Sequence, residues 1–109
     1  MIKNKELVTL HFGYWPEFAD GKIYRLVFDK AGTIELVIRY IDSEKQKSAH
    51  IGLRFSSVSD VILTELRSEN VIDSLLISGE TSHNILIEAC YGVGGTFMCK
   101  DIEVLYVNA

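Results

Sequence analysis

The chain has 109 residues, 48% of them hydrophobic and 24% charged, with 11 Lys and Arg against 15 Asp and Glu for a net charge of -4. That length fits one domain over residues 1–109, with apolar content for one core. The acidic balance excludes the broad basic footprint of a protein that grips nucleic-acid phosphates, and no apolar run reaches bilayer length.

The charge is unevenly spread. Residues 1–54 carry nine Lys and Arg against seven Asp and Glu, whereas residues 55–109 carry two against eight. Lys3, Lys5 and Glu6 precede only a short apolar segment that His11 interrupts, which is not a signal-peptide pattern. Cys90 and Cys99 without an export signal fit a reducing compartment, so a soluble cytoplasmic protein with free thiols is expected.

In chain order, Asn4–Leu10 reads as a helical turn or an edge strand, with the helical turn preferred. Phe12–Gly21 holds the only Trp and the only Pro together with Phe12, Tyr14 and Phe18. Rings packed this densely around a proline make a stiff apolar anchor. Lys22–Phe28 and Ile34–Ile41 form a hairpin across Asp29–Gly32, with Tyr24, Leu26 and Phe28 on one face of the first strand and Ile34, Leu36, Ile38 and Tyr40 on one face of the second. Asp42–Ser48 is a polar loop tip.

Ile51, Leu53 and Phe55 alternate with His50, Gly52 and Arg54 in a half-buried strand. Val58–Leu66 continues as strand, with its inward face ambiguous at Val61–Leu63. Ser68–Asp73 offers an N-cap and one helical turn before a strand begins at Leu75–Ile77. Asn84–Tyr91 is a strand with Ile85, Ile87 and Ala89 inward. Gly92–Gly95 turns the chain, and Thr96–Cys99 and Ile102–Val107 complete the set. The expected fold is mainly β: an antiparallel two-sheet sandwich or partly closed barrel of about seven or eight short strands, with at most one or two helical turns.

Motifs for chemistry are sparse. His83, Cys90 and Cys99 fall in one stretch but lack the closely spaced ligand pairs of a zinc site; Cys90 and Cys99 read as small hydrophobes or as thiols facing each other across a hairpin. His11, His50 and His83 have no nucleophile elbow near them. Gly92, Gly94 and Gly95 lack the third glycine of a dinucleotide loop and lead into a strand, so no cofactor and no metal are expected. Tyr24-Arg25 and Arg39-Tyr40 are isolated neighbours, unlike the interleaved platforms of single-strand binders.

Phe12-Gly13-Tyr14-Trp15-Pro16-Glu17-Phe18-Ala19-Asp20, Val58-Ser59-Asp60-Val61-Ile62-Leu63, Asn70-Val71-Ile72 and Gly92–Val104 occur in a fixed order that covers most of the chain. With these pieces the chain resembles immunity-protein family 50 of bacterial polymorphic toxin systems. The resemblance implies a small cytoplasmic protein that binds and neutralises a cognate toxin by occlusion, without catalysis. The family pattern carries a His-Asp pair after the Trp-Pro-x-Phe stretch. Here Ala19 stands in the histidine's place, Asp20 keeps the acid, and Lys22 stands where an acidic residue is common, so no catalytic residue is carried over.

An acidic surface suits a basic nuclease toxin, because complementary charge speeds encounter. Asp60, Glu65, Glu69, Asp73 and Glu80 are therefore candidate partner-binding residues, their other reading being a solvated surface. Trp15 and Asp20 join them, with Trp15 either a core anchor or an interface hot spot. The rival function is a small-molecule-binding barrel or sandwich with a pocket lined by Tyr24, Tyr40, Phe55 or Tyr106; a small hydrolase would need His50 or His83 to meet a carboxylate or thiol in a cleft. An exposed edge could pair two copies and Lys100, Asp101 and Glu103 could block one, so monomer and homodimer both stay open.

Overall fold

The strand with the cleanest alternation lies near the middle of the sheet. In the computed structural model, which describes residues 1–109, β3 (Thr33–Asp42) buries Ile34, Leu36, Ile38 and Tyr40 and turns the residues between them outward. The other elements are β1 (Ile2–Lys3), α1 (Glu6–Phe12), β2 (Gly21–Asp29), β4 (Lys47–Ser56), β5 (Ser59–Thr64), β6 (Val71–Ser78), β7 (His83–Tyr91), β8 (Gly94–Cys99) and β9 (Asp101–Asn108). All nine strands join in one sheet, in the order β1-β9-β4-β3-β2-β6-β7-β8-β5.

The mainly β expectation holds. The pairings are antiparallel except β1 with β9, where Ile2 lies beside Ile102, and this parallel pair makes the sheet mixed. The sheet folds over so that its two halves share one core. Phe55 of β4 and Phe97 of β8 meet edge to face across that core with ring centroids 5.1 Å apart. β5 pairs with β8 alone and β1 with β9 alone, so no closed barrel forms.

The N-terminal segment forms a helix flanked by a short strand. Val8 and Phe12, four residues apart, are its buried stripe. Gly13 ends it with φ 87° and donates its N–H to Thr9 O at 2.7 Å, a conformation that glycine adopts at no steric cost. A helix of seven residues is marginal in water. Lys45 of the β3–β4 connection and Lys47 at the start of β4 satisfy its free carbonyls: Lys45 Nζ donates to Phe12 O at 2.9 Å and Lys47 Nζ to His11 O at 3.0 Å.

Three local expectations are corrected. In β2 a bulge between Ile23 and Arg25 shifts the register, so Ile23, Leu26 and Phe28 share the inward face and Tyr24 leaves it; Phe28 is exposed all the same, because no strand pairs with the far edge there. Ser68–Asp73 makes no helical turn; Asn70 closes it as a loop, accepting at Oδ1 from Arg67 N and Val93 N and donating from Nδ2 to Arg67 O. Ala89 is exposed although Ile85 and Ile87 are buried as expected. In β5, Val61 and Leu63 turn partly inward and Ile62 outward.

Candidate functional site: an acidic recess lined by tyrosines

The Phe12–Gly21 segment wraps around one side chain, Tyr40. Phe12 and Phe18 pack edge-on against the Tyr40 ring at 5.2 and 5.5 Å, and Trp15 packs edge-on against Phe18 at 5.8 Å. The segment is stitched to β6 by its backbone, with Asp20 N donating to Ile72 O at 2.9 Å and Leu75 N to Glu17 O at 2.7 Å. Phe18 and Asp20 adopt positive φ, 60° and 63°. Non-glycine residues hold such conformations only where packing and hydrogen bonds over-determine them. The segment is therefore preorganised.

This wrapping brings the Tyr14 hydroxyl 2.7 Å from the Tyr40 hydroxyl and 2.7 Å from Asp42 Oδ2. An ionised carboxylate only accepts, so Tyr14 gives its proton to Asp42 and Tyr40 donates to Tyr14. Withdrawal of the phenol from water, followed by its bonds to Tyr40 and Asp42, holds the Tyr14 proton well above the usual phenol range. The bond from Tyr14, then the Lys45 backbone N–H at 3.1 Å, lowers the Asp42 pKa. Lys45 is already engaged, its amine 5.0 Å from the centre of the Tyr14 ring while bonded to the helix end.

Tyr14, Asp20, Tyr40, Asp42 and Glu44 line an open recess of about 390 Å³ that also includes Ala19 and Lys45. None of its three carboxylates is in an ion pair. Such a recess can accept a cationic or hydrogen-bond-donating group between a fixed phenol and unpaired carboxylates. A larger groove of about 520 Å³ borders β1 and β9 at Lys3, Ser56, Asp101 and Glu103, but no side-chain hydrogen bond joins the residues around it, and Glu103 is engaged from outside it by Arg54 at 3.9 Å.

Of the residues singled out in the sequence, Asp20 lies at the recess. Trp15 is half-buried against the core and borders a separate shallow groove with Lys5, Pro16 and Leu75, the Lys5 amine 5.9 Å from its ring centre. The five downstream acids do not converge. Glu69 precedes and Glu80 follows the eight-residue β6, which separates them by roughly 25 Å. The β5–β8–β7 register puts Glu65 at the Glu69 end and Asp60 at the Glu80 end, and Asp73 is exposed within the β6 bulge. Two are paired on the surface, Glu65 with Arg67 at 2.7 Å and Glu69 with Lys22 at 3.8 Å.

The other candidate chemistries are also located. His83 and Cys99 are cross-strand partners, both buried, and the His83 Nδ1–H donates to Gly79 O at 3.0 Å. Burial, followed by the charge of Asp101, raises the Cys99 thiol to about 11, so it is a neutral thiol at ordinary pH. Cys90 is exposed and does not face it. His50 packs edge-on against Tyr24 at 4.8 Å. Tyr40 and Phe55 are in the core, whereas Tyr24 is exposed and the Tyr106 ring lies over Gly52 where a Cβ would come within 2.5 Å of it. The four rings proposed for a ligand pocket thus line no common cavity.

Tyr14, Tyr40 and Asp42 carried no local signal for the site, since 26 and 28 residues separate the bonded pairs. No family model, curated protein or solved structure matches the chain. No helix is long and apolar enough to cross a membrane.

Proposed function

We propose that the chain is a non-catalytic immunity-type protein of the cytoplasm that neutralises a toxin by lying across it, with the tyrosine recess as the centre of the contact. The observation that carries this reading is a phenol fixed by two hydrogen bonds among three carboxylates free of ion pairs. Rigid tyrosines lose little entropy on binding, and carboxylates free of ion pairs suit an Arg or Lys of a basic partner such as a nuclease. The sequence resemblance supplies the class of partner. Asp60, Glu65, Glu69, Asp73 and Glu80, spread over two ends of the sheet, contribute attraction at a distance and speed encounter without forming one contact face.

The test is a search for a toxin-like gene beside this one, then co-purification with its product, titration calorimetry and growth rescue. Asp20→Lys together with Asp42→Asn is expected to weaken binding by about a hundredfold. Reversal at Asp60 and Glu80 is expected to slow association with a smaller effect on dissociation. Undiminished affinity in the recess variant, with the fold intact, overturns the assignment of the recess.

A further inference from the structure

β2 leaves the body of the sheet halfway along its length. It pairs with β3 from Lys22 to Asp29, but with β6 only at Gly21 and Lys22, helped by the Ile23 N–H donating to Asn70 O at 2.9 Å. From Tyr24 to Asp29 its second edge carries no strand. The antiparallel register runs out of β6 at Val71, so beyond Ile23 only the loop at Leu66–Asn70 lies beside β2, and the bulge between Ile23 and Arg25 falls at the same point.

The released stretch is not built like an edge that faces water. Leu26 lies opposite Leu36 and Phe28 opposite Ile34, so both point to the apolar face of the sheet. Leu36 and Ile34 are 1% and 0% exposed, yet Phe28 is 54% exposed and Val27 37%. No proline protects the edge, and after Arg25 no further bulge twists it away. Beside it, Leu66 is 63% exposed and borders a groove with Tyr24, Arg25 and Leu26.

We infer that this edge pairs with the same edge of a second copy, making an antiparallel β2–β2 dimer about a two-fold axis at Val27. The segment Arg25-Leu26-Val27-Phe28-Asp29 complements itself in that register. Arg25 of each copy lies opposite Asp29 of the other, Leu26 opposite Phe28, and Val27 opposite itself. Arg25, Val27 and Asp29 share the outward face and Leu26 and Phe28 the inward face, so each opposed pair is on one side of the joined sheet. Sliding one copy by two residues either way keeps the faces matched but puts Val27 or Ala31 opposite Arg25, and the charge match is lost. Neither Arg25 nor Asp29 is in an ion pair within its own chain. Asp29 uses Oδ1 for the Ala31 N–H at 2.7 Å, which leaves its other oxygen for the partner.

The experiment is sedimentation equilibrium on the whole chain, with circular dichroism melts to verify folding. The wild type is expected to shift from 12.3 kDa toward twice that mass as concentration rises. Arg25→Asp and Asp29→Arg, each alone, are expected to weaken self-association by about tenfold or more, because each turns two attractions into two repulsions. An equimolar mixture of these two variants restores Arg opposite Asp at both contacts, so it is expected to dimerise where neither component does. The double variant is expected to dimerise as the wild type does. Hydrogen exchange is expected to slow at Tyr24–Asp29 with rising concentration. A wild type that stays monomeric up to millimolar concentration overturns the inference, as does a dimer that Arg25→Asp leaves unchanged, or a mixture no better than its parts.

Discussion

Asn70 and Val93 are joined across the molecule by the Val93 N–H donating to Asn70 Oδ1 at 2.9 Å, although 23 residues separate them. The same oxygen accepts from Arg67 N at 3.1 Å, and Nδ2 donates to Arg67 O at 2.8 Å. One side-chain amide therefore closes the loop into β6 and fastens it to the turn between β7 and β8. Asn70 is only 6% exposed, so its partners have little water to replace it. Asn70→Ala is expected to cost about 2–3 kcal/mol in urea unfolding. Asn70→Asp, which keeps the acceptor and loses the donor to Arg67 O, is expected to destabilise as well.

The Tyr14–Asp42 bond gives the recess a dependence on acid. The Asp42 pKa is lowered below its ordinary 3.8, so its contribution to stability is complete above that value and is lost as pH falls through the folded value. Carbon-detected NMR titration is expected to find Asp42 returning toward 3.8 in Tyr14→Phe. The acid limb of the unfolding curve is expected to become shallower in Asp42→Asn.

The two thiols are expected to react differently in the native protein. Cys90 is exposed, whereas Cys99 is buried and its thiol is raised to about 11. At pH 8 an aromatic disulfide reagent is expected to titrate one thiol at once and the second only after denaturation. In the unfolded chain Cys99 ionises near its ordinary 9.0, so its contribution to stability is present below that pH and falls away between 9.0 and about 11. Replacing Cys99 with Ala is expected to remove that part of the alkaline loss.

Phe97 and Phe55 hold the two halves of the sheet together at 5.1 Å, and both are essentially buried. Phe97→Ala is expected to cost about 3–5 kcal/mol, since the cavity sits between two sheet faces that cannot easily collapse. Chemical denaturation measures this loss. A variant unfolding within 1 kcal/mol of the wild type, to take roughly the size of an ordinary substitution, would mean the site relaxes freely.

Alternation is legible on β3 and β4, whereas β7, also paired on both edges, leaves Ala89 exposed. Ile34 to Tyr40 on β3 and Ile51 to Phe55 on β4 read directly as inward residues; β3 lies between β2 and β4, and β4 between β3 and β9. On β2 the bulge at Tyr24 resets the alternation, and the edge beyond it has no neighbour to bury Phe28. Ser68-Glu69-Asn70 looks like a helix start because capping residues serve loops equally well, and the choice is made by Val93. The acidic run from Asp60 to Glu80 is contiguous in composition but split by the length of β6. The recess was visible only through Asp20 and the neighbouring rings, since Tyr40 and Asp42 enter it from another strand.

The parallel pair of β1 and β9 fixes the order in which the molecule can be assembled. Ile2 needs Ile102 beside it, and the Asn4 Nδ2 group donates to Val104 O at 3.4 Å across a separation of 100 residues. Helix α1, too short to persist by itself, also leans on β9 and β4. On a ribosome, the stretch around Ile2 must wait until Ile102 has been made. Because Phe12–Gly21 follows directly from that helix, the recess around Tyr14 is among the final parts to take shape, and a chain released before Ile102 lacks the strand on which its opening segment docks.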